Sequence, residues 1–144
     1  MSNLLAGLGK SQLADLQRRI DIRRAHFEAY QAELTSLTGI EFMPVADPDA
    51  ANYWLTCLTV DSETSGSSRD ALMAALEVAD IEARPLWKPL HLQPIFKDKI
   101  CYGGELAAGL FKNGLCLPSG SGMHQSDRDE VISTIKATLA RGRS

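Results

Sequence analysis

The proline-rich stretch RPLWKPLHLQP at residues 84–94 holds the densest group of side chains that could do chemistry. Arg84, Lys88 and His91 supply positive or titratable groups, and Trp87 supplies a flat aromatic surface. Proline fixes φ and hinders both helix and strand, so the loop can present these side chains at little further entropic cost. One interpretation is a rigid binding loop for an anion such as a phosphate, with Trp87 against a sugar or base. The competing interpretation, which we favour for a proline-rich loop taken alone, is a solvated connector whose Trp87 packs in the core.

A glycine-rich stretch, PSGSGMHQSD at residues 118–127, precedes a predicted helix. Unpaired N–H groups at a helix start favour anions, so a phosphate loop is one interpretation. A flexible turn that leads into a helix explains the same Ser, Gly and Asp residues, and we favour it. His124 has no evident partner, and we expect it to be a surface residue rather than a ligand.

The remaining reactive side chains are three widely spaced cysteines, Cys57, Cys101 and Cys116. No C-x-x-C pair or His–Cys cluster has the spacing of a zinc site. A catalytic cysteine needs a base and an electropositive setting, which the sequence does not indicate. Free cysteines are usually core residues, so we expect buried thiols and no metal.

The overall composition is that of one globular domain. The chain has 144 residues, 44% hydrophobic and 23% charged, with a formal net charge of -3. Its basic and acidic residues are interleaved, which excludes the basic footprint of a nucleic-acid-binding protein or a polybasic membrane-surface segment. No apolar run reaches the roughly 20 residues of a membrane helix, and MSNLLAGLGK lacks the features of a signal peptide. We therefore expect a cytoplasmic protein with no nucleic-acid or membrane partner.

A long amphipathic helix is predicted near the start of the chain, because apolar residues recur at intervals of three and four over residues 13–37. Only Arg23 and Arg24 interrupt this stripe. With NLLAGLG included, the helix would be roughly 50 Å long, whereas a compact chain of this size has a diameter of roughly 40 Å. The helix would overhang its domain. We expect its first turns to pack on protein outside this chain, unless Gly7 and Gly9 break it.

Short strands and helices alternate in the rest of the chain. GIEF, YWLTCLTVD, residues 82–86 and LCLP are predicted strands, and the second should be central because both of its faces are apolar. S-x-x-D patterns that begin at Ser67 and Ser126 predict capped helices, and GGELAAGLFKNG predicts a short one. We expect the α+β class, with a long N-terminal helix over residues 1–38 and a small, mainly antiparallel sheet covered by helices over residues 39–144.

Four segments together resemble a known family. MSNLLAGLGKSQLADLQRRIDIRRAHFEAY, YWLTCLTVD, RPLWKPLHLQPIF and GLCLPSGSGM are similar, in order and spacing, to the C-terminal part of the DegT/DnrJ/StrS family of nucleotide-sugar aminotransferases. The resemblance implies the small domain of a fold-type-I aminotransferase, which its long helix connects to a large domain that binds pyridoxal 5'-phosphate. It also implies a dimeric enzyme that moves an amino group, usually from glutamate, to a keto nucleotide-sugar in cell-surface or antibiotic sugar biosynthesis.

The cofactor site of that family lies in the large domain, which holds the Schiff-base lysine and the aspartate that pairs with the pyridine nitrogen. No lysine of this chain stands in the corresponding motif. The resemblance therefore implies that these residues include no catalytic residue, bind no cofactor alone and support no transamination without the large domain.

The resemblance also places five residues on the substrate side of the active site. Asn3 of MSN and His91 of PLHLQP are similar in position to residues close to the nucleotide-sugar, and Arg84, Trp87 and Lys88 are weaker candidates from the same loop. Apart from the resemblance, Asn3 is only a candidate N-cap of the first helix.

Three functional hypotheses follow. The first is the substrate-side domain of a sugar aminotransferase, inactive alone. The second is a stand-alone, non-catalytic sugar-nucleotide-binding or assembly module. The third, a small independent enzyme that uses His91 with a cysteine, has little support. In the first two, apolar residues such as Leu4, Leu5 and Leu8 would be exposed, and we expect a homo-oligomer.

Overall fold

A four-stranded antiparallel sheet forms the centre of the computed structural model, which describes residues 2–142. Its strands lie in the order β1 (Ile40–Phe42), β2 (Thr56–Val60), β4 (Gly114–Leu117) and β3 (Arg84–Pro85). Within residues 2–142 the α-helices are α1 (Asn3–Ala14), α2 (Leu16–Leu34), α3 (Ser62–Ser65), α4 (Arg69–Val78), α5 (Glu105–Asn113) and α6 (Gln125–Gly142). Short 3-10 turns cover Leu90–Leu92 and Pro94–Phe96. The prediction of an α+β fold with an antiparallel sheet is confirmed.

The hydrophobic core lies between one face of the sheet and helices α2, α4 and α6. Strand residues alternate between the two faces, so Leu58 of β2 and Leu115 of β4, which lie directly opposite each other, both point into the core. The helices contribute Tyr30, Leu34, Leu72, Leu76, Ile135 and Leu139. Because Cys57 and Cys116 alternate with the core residues of their strands, they lie on the opposite face of the sheet.

The predicted long helix is present but divided. α1 and α2 meet at Asp15, whose carboxylate accepts from Arg18 at 2.6 Å and pairs with Arg19 at 2.8 Å. The two glycines inside α1 do not break it. The second segment ends at Leu34, a few residues before the predicted end. The division falls at a charged residue that two neighbouring arginines hold, and not at the flexible positions that the sequence singled out.

The first helix exposes apolar surface, as the predicted overhang requires. No residue of α1 is buried, and Leu4, Leu5 and Leu8 are each more than half exposed. Contiguous exposed apolar surface usually marks contact with protein or ligand. The exposure of these leucines is confirmed, and what covers them stays a prediction.

The segment YWLTCLTVD forms a central strand, but a shorter one than predicted. A turn precedes β2, in which the Asn52 side chain accepts from the Trp54 N–H at 3.0 Å and Tyr53 has a positive φ of 49°. The turn buries Tyr53 and leaves Trp54 58% exposed. β3 is also shorter than the predicted 82–86, and it is an edge strand, the position in which a proline such as Pro85 is tolerated.

The starts of two helices differ slightly from the predictions. Ser68 caps α4 by accepting from the Ala71 N–H at 3.1 Å, one residue later than predicted. α6 begins ahead of the predicted cap Ser126, and the Asp127 carboxylate accepts from the His124 N–H at 2.9 Å. The short helix α5 ends at its closing glycine, as predicted. No helix in the described part of the chain is long and apolar enough to span a bilayer.

Candidate substrate-side site

Two tryptophans from different segments meet beside the proline-rich loop. The ring centroids of Trp54 and Trp87 lie 6.2 Å apart, with an interplanar angle of 40°. Trp87 is 66% exposed, so the interpretation in which it packs in the core is wrong. Trp54 is turned outward by the turn before β2, and Trp87 follows the edge strand β3 closely. The pair forms an exposed aromatic surface of the kind that stacks on bases and sugars.

A cavity of about 550 Å³ opens beside this aromatic pair. Phe27 and Tyr53 line the cavity together with the two tryptophans. The ring centroids of Phe27 and Tyr53 lie 5.2 Å apart. The Arg24 guanidinium lies 5.3 Å from the Tyr53 ring centroid, where it makes a cation–π contact. The lining is mainly aromatic and aliphatic. Such a cavity suits the flat, apolar part of a ligand.

A second cavity, of about 270 Å³, shares Trp54 with the first and is lined by charged side chains. Arg23, Arg84 and Glu82 line it. The Arg84 guanidinium donates to Glu82 at 2.8 Å, which partly neutralises it. Arg23 has no hydrogen-bond or ion-pair partner among residues 2–142. An unpaired guanidinium beside an aromatic surface is a donor for a phosphate or carboxylate.

The proline-rich loop is held by local contacts. The Gln93 side chain donates to the Lys88 carbonyl at 3.4 Å, and the Leu92 N–H donates to the Pro89 carbonyl at 3.0 Å. The Lys88 side chain is exposed and has no partner in the described part of the chain. Its ammonium group is therefore available to an anion, as the binding-loop interpretation requires.

His91 packs against a different part of the chain. A Cβ built at Gly104 would lie 2.9 Å from the His91 Cε1, so the imidazole occupies the space that any other residue would need. The φ of Gly104 is also +103°, which favours glycine. The Cys101 thiol lies beside the same glycine but donates to the Gly103 carbonyl at 3.4 Å. Within residues 2–142 no hydrogen bond joins His91 to a cysteine, so the third hypothesis gains no support.

Asn3 lies at the exposed start of α1. Ser2 caps this helix, because its hydroxyl accepts from the Leu5 N–H at 3.4 Å, and the prediction of Asn3 as the N-cap is wrong. The Asn3 side chain makes no hydrogen bond to the loop at 84–94 in the described part of the chain. The role of Asn3 toward a substrate stays a prediction.

The glycine-rich segment at 118–124 has the structure of the predicted turn into α6. The Ser119 hydroxyl donates to the Trp54 carbonyl at 3.0 Å, and the buried Tyr30 hydroxyl donates to the Pro118 carbonyl at 2.9 Å. These two bonds tie the turn both to the aromatic pair and to the core. The exposed aromatic surface therefore rests on a well-anchored backbone.

A buried histidine lies next to this turn. His26 of α2 is 5% exposed. Burial lowers the pKa of His26, the Arg128 guanidinium lowers it further, and the backbone of Gly120 opposes both in part. The neutral imidazole is favoured, because the charged form would lose its hydration without gaining an acidic partner.

The cysteines divide into a buried pair and an exposed thiol. Cys57 and Cys116 are buried, as predicted, whereas Cys101 is exposed and that part of the prediction is wrong. Cys57 and Cys116 are directly opposite each other on β2 and β4, with their Sγ atoms 3.6 Å apart. Cys101 lies in the irregular segment before α5, outside the sheet, where no core surrounds it.

Trp54 and Arg23 are two residues of the candidate site that the sequence patterns do not predict. The apolar run around Trp54 predicts a buried strand, and the signal against it is Asn52, two residues earlier, because asparagine readily forms a side-chain-to-backbone turn. Arg23 interrupted an otherwise apolar stripe, and a charged residue in that position must reach solvent or a partner. The local sequence therefore indicates that each side chain is exposed or paired, but it does not indicate which part of the chain Trp54 or Arg23 contacts.

The fold matches about a third of a solved protein structure. It superposes on the crystal structure of DesI in the presence of its TDP-sugar product, with a TM-score of 0.84 and 26% sequence identity, covering 99% of this chain and 37% of that one. The chain belongs to the DegT/DnrJ/EryC1/StrS aminotransferase family, whose model matches residues 1–136. The resemblance noted from the sequence is confirmed.

Two curated relatives have clear sequence identity. EpsN of Bacillus subtilis (strain 168), which is named as a pyridoxal phosphate-dependent aminotransferase, is 42% identical over 139 residues, covering 94% of this chain and 35% of EpsN. GDP-perosamine synthase of Vibrio cholerae is 32% identical over 139 residues, covering 94% of this chain and 37% of the synthase. The chain therefore spans little more than a third of the length of these relatives.

Proposed function

We propose that residues 1–144 form the C-terminal, substrate-side portion of a cytoplasmic, pyridoxal phosphate-dependent aminotransferase. The complete enzyme would transfer an amino group from an amino acid, glutamate by preference, to a keto nucleotide-sugar for cell-surface or antibiotic sugars. Residues 1–38 would act as the connecting helix and residues 39–144 as the small domain. The observation that carries the proposal is the family match over residues 1–136, in a chain that covers only 35% of EpsN.

The described lysines do not fit the cofactor. A Schiff-base lysine is held in the cofactor pocket, near an acidic or arginine partner of the pyridine nitrogen. Lys136 is half-buried, but it is ion-paired with Glu33 on the surface between α2 and α6. The side chains of the other lysines are exposed: Lys10, Lys88, Lys97, Lys99 and Lys112. We therefore place the cofactor lysine outside residues 1–144 and expect no catalysis from this chain alone.

The substrate side of the proposal rests on the aromatic pair and its cations. Trp54 and Trp87 offer a stacking surface, and the unpaired Arg23 and Lys88 side chains offer charge to a diphosphate. The related proteins named above support this class of substrate, since one makes a GDP-linked sugar by name and another was crystallised with a TDP-sugar product. Arg84, His91 and Asn3 enter this proposal through the resemblance.

The test is a titration of the purified chain with pyridoxal 5'-phosphate, followed by borohydride reduction and peptide mass spectrometry. We expect scattered surface adducts and no stoichiometric internal aldimine. A parallel titration with TDP- and GDP-sugars, followed by tryptophan fluorescence, should show saturable quenching. One reducible adduct at a single lysine would overturn the assignment of the cofactor site, and an absence of saturable quenching would overturn the assignment of the substrate site.

A stand-alone binding or assembly module is the second candidate. The exposed leucines of α1 favour it, because an assembly surface needs apolar area that a partner covers. In either case we propose that the chain associates with itself or with a large cofactor-binding domain. Mixing the chain with a separately produced large domain of a relative distinguishes the two candidate functions. Only the substrate-side portion of an aminotransferase would restore amino transfer.

A further inference from the structure

We propose that Cys57 and Cys116 form a modification site, at which a small disulfide of the glutathione type converts the two thiols into a cross-strand disulfide between β2 and β4. The inference rests on the geometry of the sheet and on no assumption about the function of the protein. Neither cysteine belongs to the aromatic pair or to the cationic groups of the candidate site.

The backbone pairing brings the two residues unusually close. In an antiparallel ladder each residue points its N–H and C=O to the same side. The Cys57 carbonyl accepts from the Met43 N–H at 3.0 Å, so Cys57 points its backbone groups toward β1 and away from β4. The Leu86 N–H donates to the Gly114 carbonyl at 3.2 Å, so Gly114 points its backbone groups toward β3. Cys116 is the next alternate residue of β4, and its backbone groups point the same way. Cys57 and Cys116 are therefore a non-hydrogen-bonded pair.

In a non-hydrogen-bonded pair the two Cα atoms lie closer together than in a hydrogen-bonded pair. They lie about 4.5 Å apart in antiparallel sheets, within the range of about 4.4–6.8 Å that disulfides span. The Sγ atoms already lie 3.6 Å apart, on the same face of the sheet. Closing the bond requires the sulfur atoms to approach to about 2.05 Å, which side-chain rotation supplies with little backbone movement.

Both thiols lie at the edge of an opening. Cys57 lines the 550 Å³ cavity beside Trp54 and Trp87, and Cys116 lines the 270 Å³ cavity that carries Arg84 and Arg23. A cationic setting favours an anionic oxidant and a thiolate. Burial raises the pKa of Cys57 to about 12, so exchange at Cys57 should be slow at neutral pH. The arginines that line the same cavity as Cys116 favour Cys116 as the first thiol to react.

The chemistry balances as two thiol–disulfide exchanges. The Cys116 thiolate attacks the small disulfide, forms a mixed disulfide and expels one small thiolate. Cys57 then loses its proton and attacks the Cys116 sulfur, which expels the second small thiolate. The two cysteines together lose two electrons and two protons, and the oxidant is reduced to two thiols.

The test uses the chain with Cys101→Ser, which removes the exposed thiol that would otherwise trap the oxidant or join two chains. The reduced, folded protein is incubated with oxidised glutathione, and intact mass, free thiols and cross-linked peptides are measured. We expect both thiols to be lost, the mass to fall by two hydrogen atoms, and a linked Cys57–Cys116 peptide to appear. The matched control, Cys57→Ser added to Cys101→Ser, should keep a free thiol or one glutathione adduct.

Three results would each overturn the proposal: unchanged thiols, two glutathione adducts without a linked peptide, or a linked peptide that forms only after urea unfolds the protein. Circular dichroism before oxidation establishes that the starting protein is folded. If the Cys101→Ser variant does not fold, peptide mapping of the oxidised unsubstituted chain gives the same answer, because the linked peptide is identified directly.

Discussion

Trp54 and Trp87 lie with their ring centroids 6.2 Å apart, and both remain more than half exposed to solvent. One side chain comes from the turn before the central strand and the other follows the edge strand. A folded protein seldom leaves two adjacent tryptophans uncovered without a use for that surface. Trp54 lines both cavities of the candidate site, so a ligand in either cavity would lie against this aromatic surface.

We expect Trp87→Ala to weaken the binding of a TDP- or GDP-sugar by roughly 5- to 150-fold, because stacking on an aromatic ring is worth about 1–3 kcal/mol per base. Trp54→Ala should act in the same direction. Isothermal titration of each variant measures the loss. Tyr102→Ala is the matched control, because its ring is exposed but lies outside both cavities, and it should leave the affinity unchanged. Equal affinity in all three variants would refute stacking.

Arg23→Met should reduce the affinity for a nucleoside diphosphate by roughly 10- to 150-fold, because a charge-assisted hydrogen bond contributes about 1.5–3 kcal/mol. The variant keeps the aliphatic length of the side chain and removes its charge. Arg18→Met is the control, since Arg18 is exposed and its guanidinium is occupied by Asp15. The affinity should also fall as salt rises in the unsubstituted protein and much less in Arg23→Met. A similar loss in the two variants would point to net charge rather than a site.

The stability of the protein should fall with rising pH above about 10, partly through Tyr30. Burial raises the pKa of Tyr30 well above its ordinary value of 10.0. In this range the unfolded chain binds fewer protons than the folded one, so the free energy of unfolding decreases as pH rises. Urea unfolding of Tyr30→Phe should show a flatter decline above pH 10, whereas Tyr102→Phe, with its exposed ring, should not. Cys57, whose pKa is also raised, contributes equally in both variants.

Tyr30→Phe should also lower stability near neutral pH, by about 1–3 kcal/mol, because it leaves the Pro118 carbonyl without its donor. The measurement is the free energy of unfolding from a urea titration. Unchanged stability would mean that water replaces the lost hydroxyl.

Acid should destabilise the protein through His26. The pKa of His26 is lowered from its ordinary value of 6.5, mainly by burial, so the unfolded chain binds more protons below pH 6.5 and the free energy of unfolding falls as pH falls. His26→Gln should flatten the profile just below pH 6.5. His124→Gln, at an exposed position, should keep the slope of the unsubstituted protein. Carboxylates dominate at lower pH, so the comparison is made above pH 5.

We expect the chain to self-associate through α1, and the association should disappear when Leu4 and Leu8 are both replaced by lysine. These leucines are 83% and 57% exposed on a helix with no buried residue. Val78→Lys is the control, because Val78 is 90% exposed on α4 and its substitution adds the same kind of charge elsewhere. Sedimentation velocity measures the outcome. Loss of association in the Val78 variant as well would assign the effect to charge and not to α1.

Local pattern was enough to predict most of the elements. The spacing of apolar residues by three and four predicted the helical stretch that contains α1 and α2. Gly114 predicted the end of α5. The apolar run around Cys57 predicted a central strand, because only a strand covered on both sides carries apolar residues on both faces. The order of four motifs was enough to indicate the family, which the family model confirms.

Tertiary structure decided the site. The distance from Trp54 to Trp87 depends on the turn at Asn52 and on the position of β3 at the sheet edge, two features that lie far apart in sequence. The Cys57–Cys116 pair likewise depends on the register of β2 with β4, and a slip of one residue would have put the two thiols on opposite faces. Periodicity specifies how each segment buries its own apolar face, but the partner of each segment is chosen only when the segments pack together.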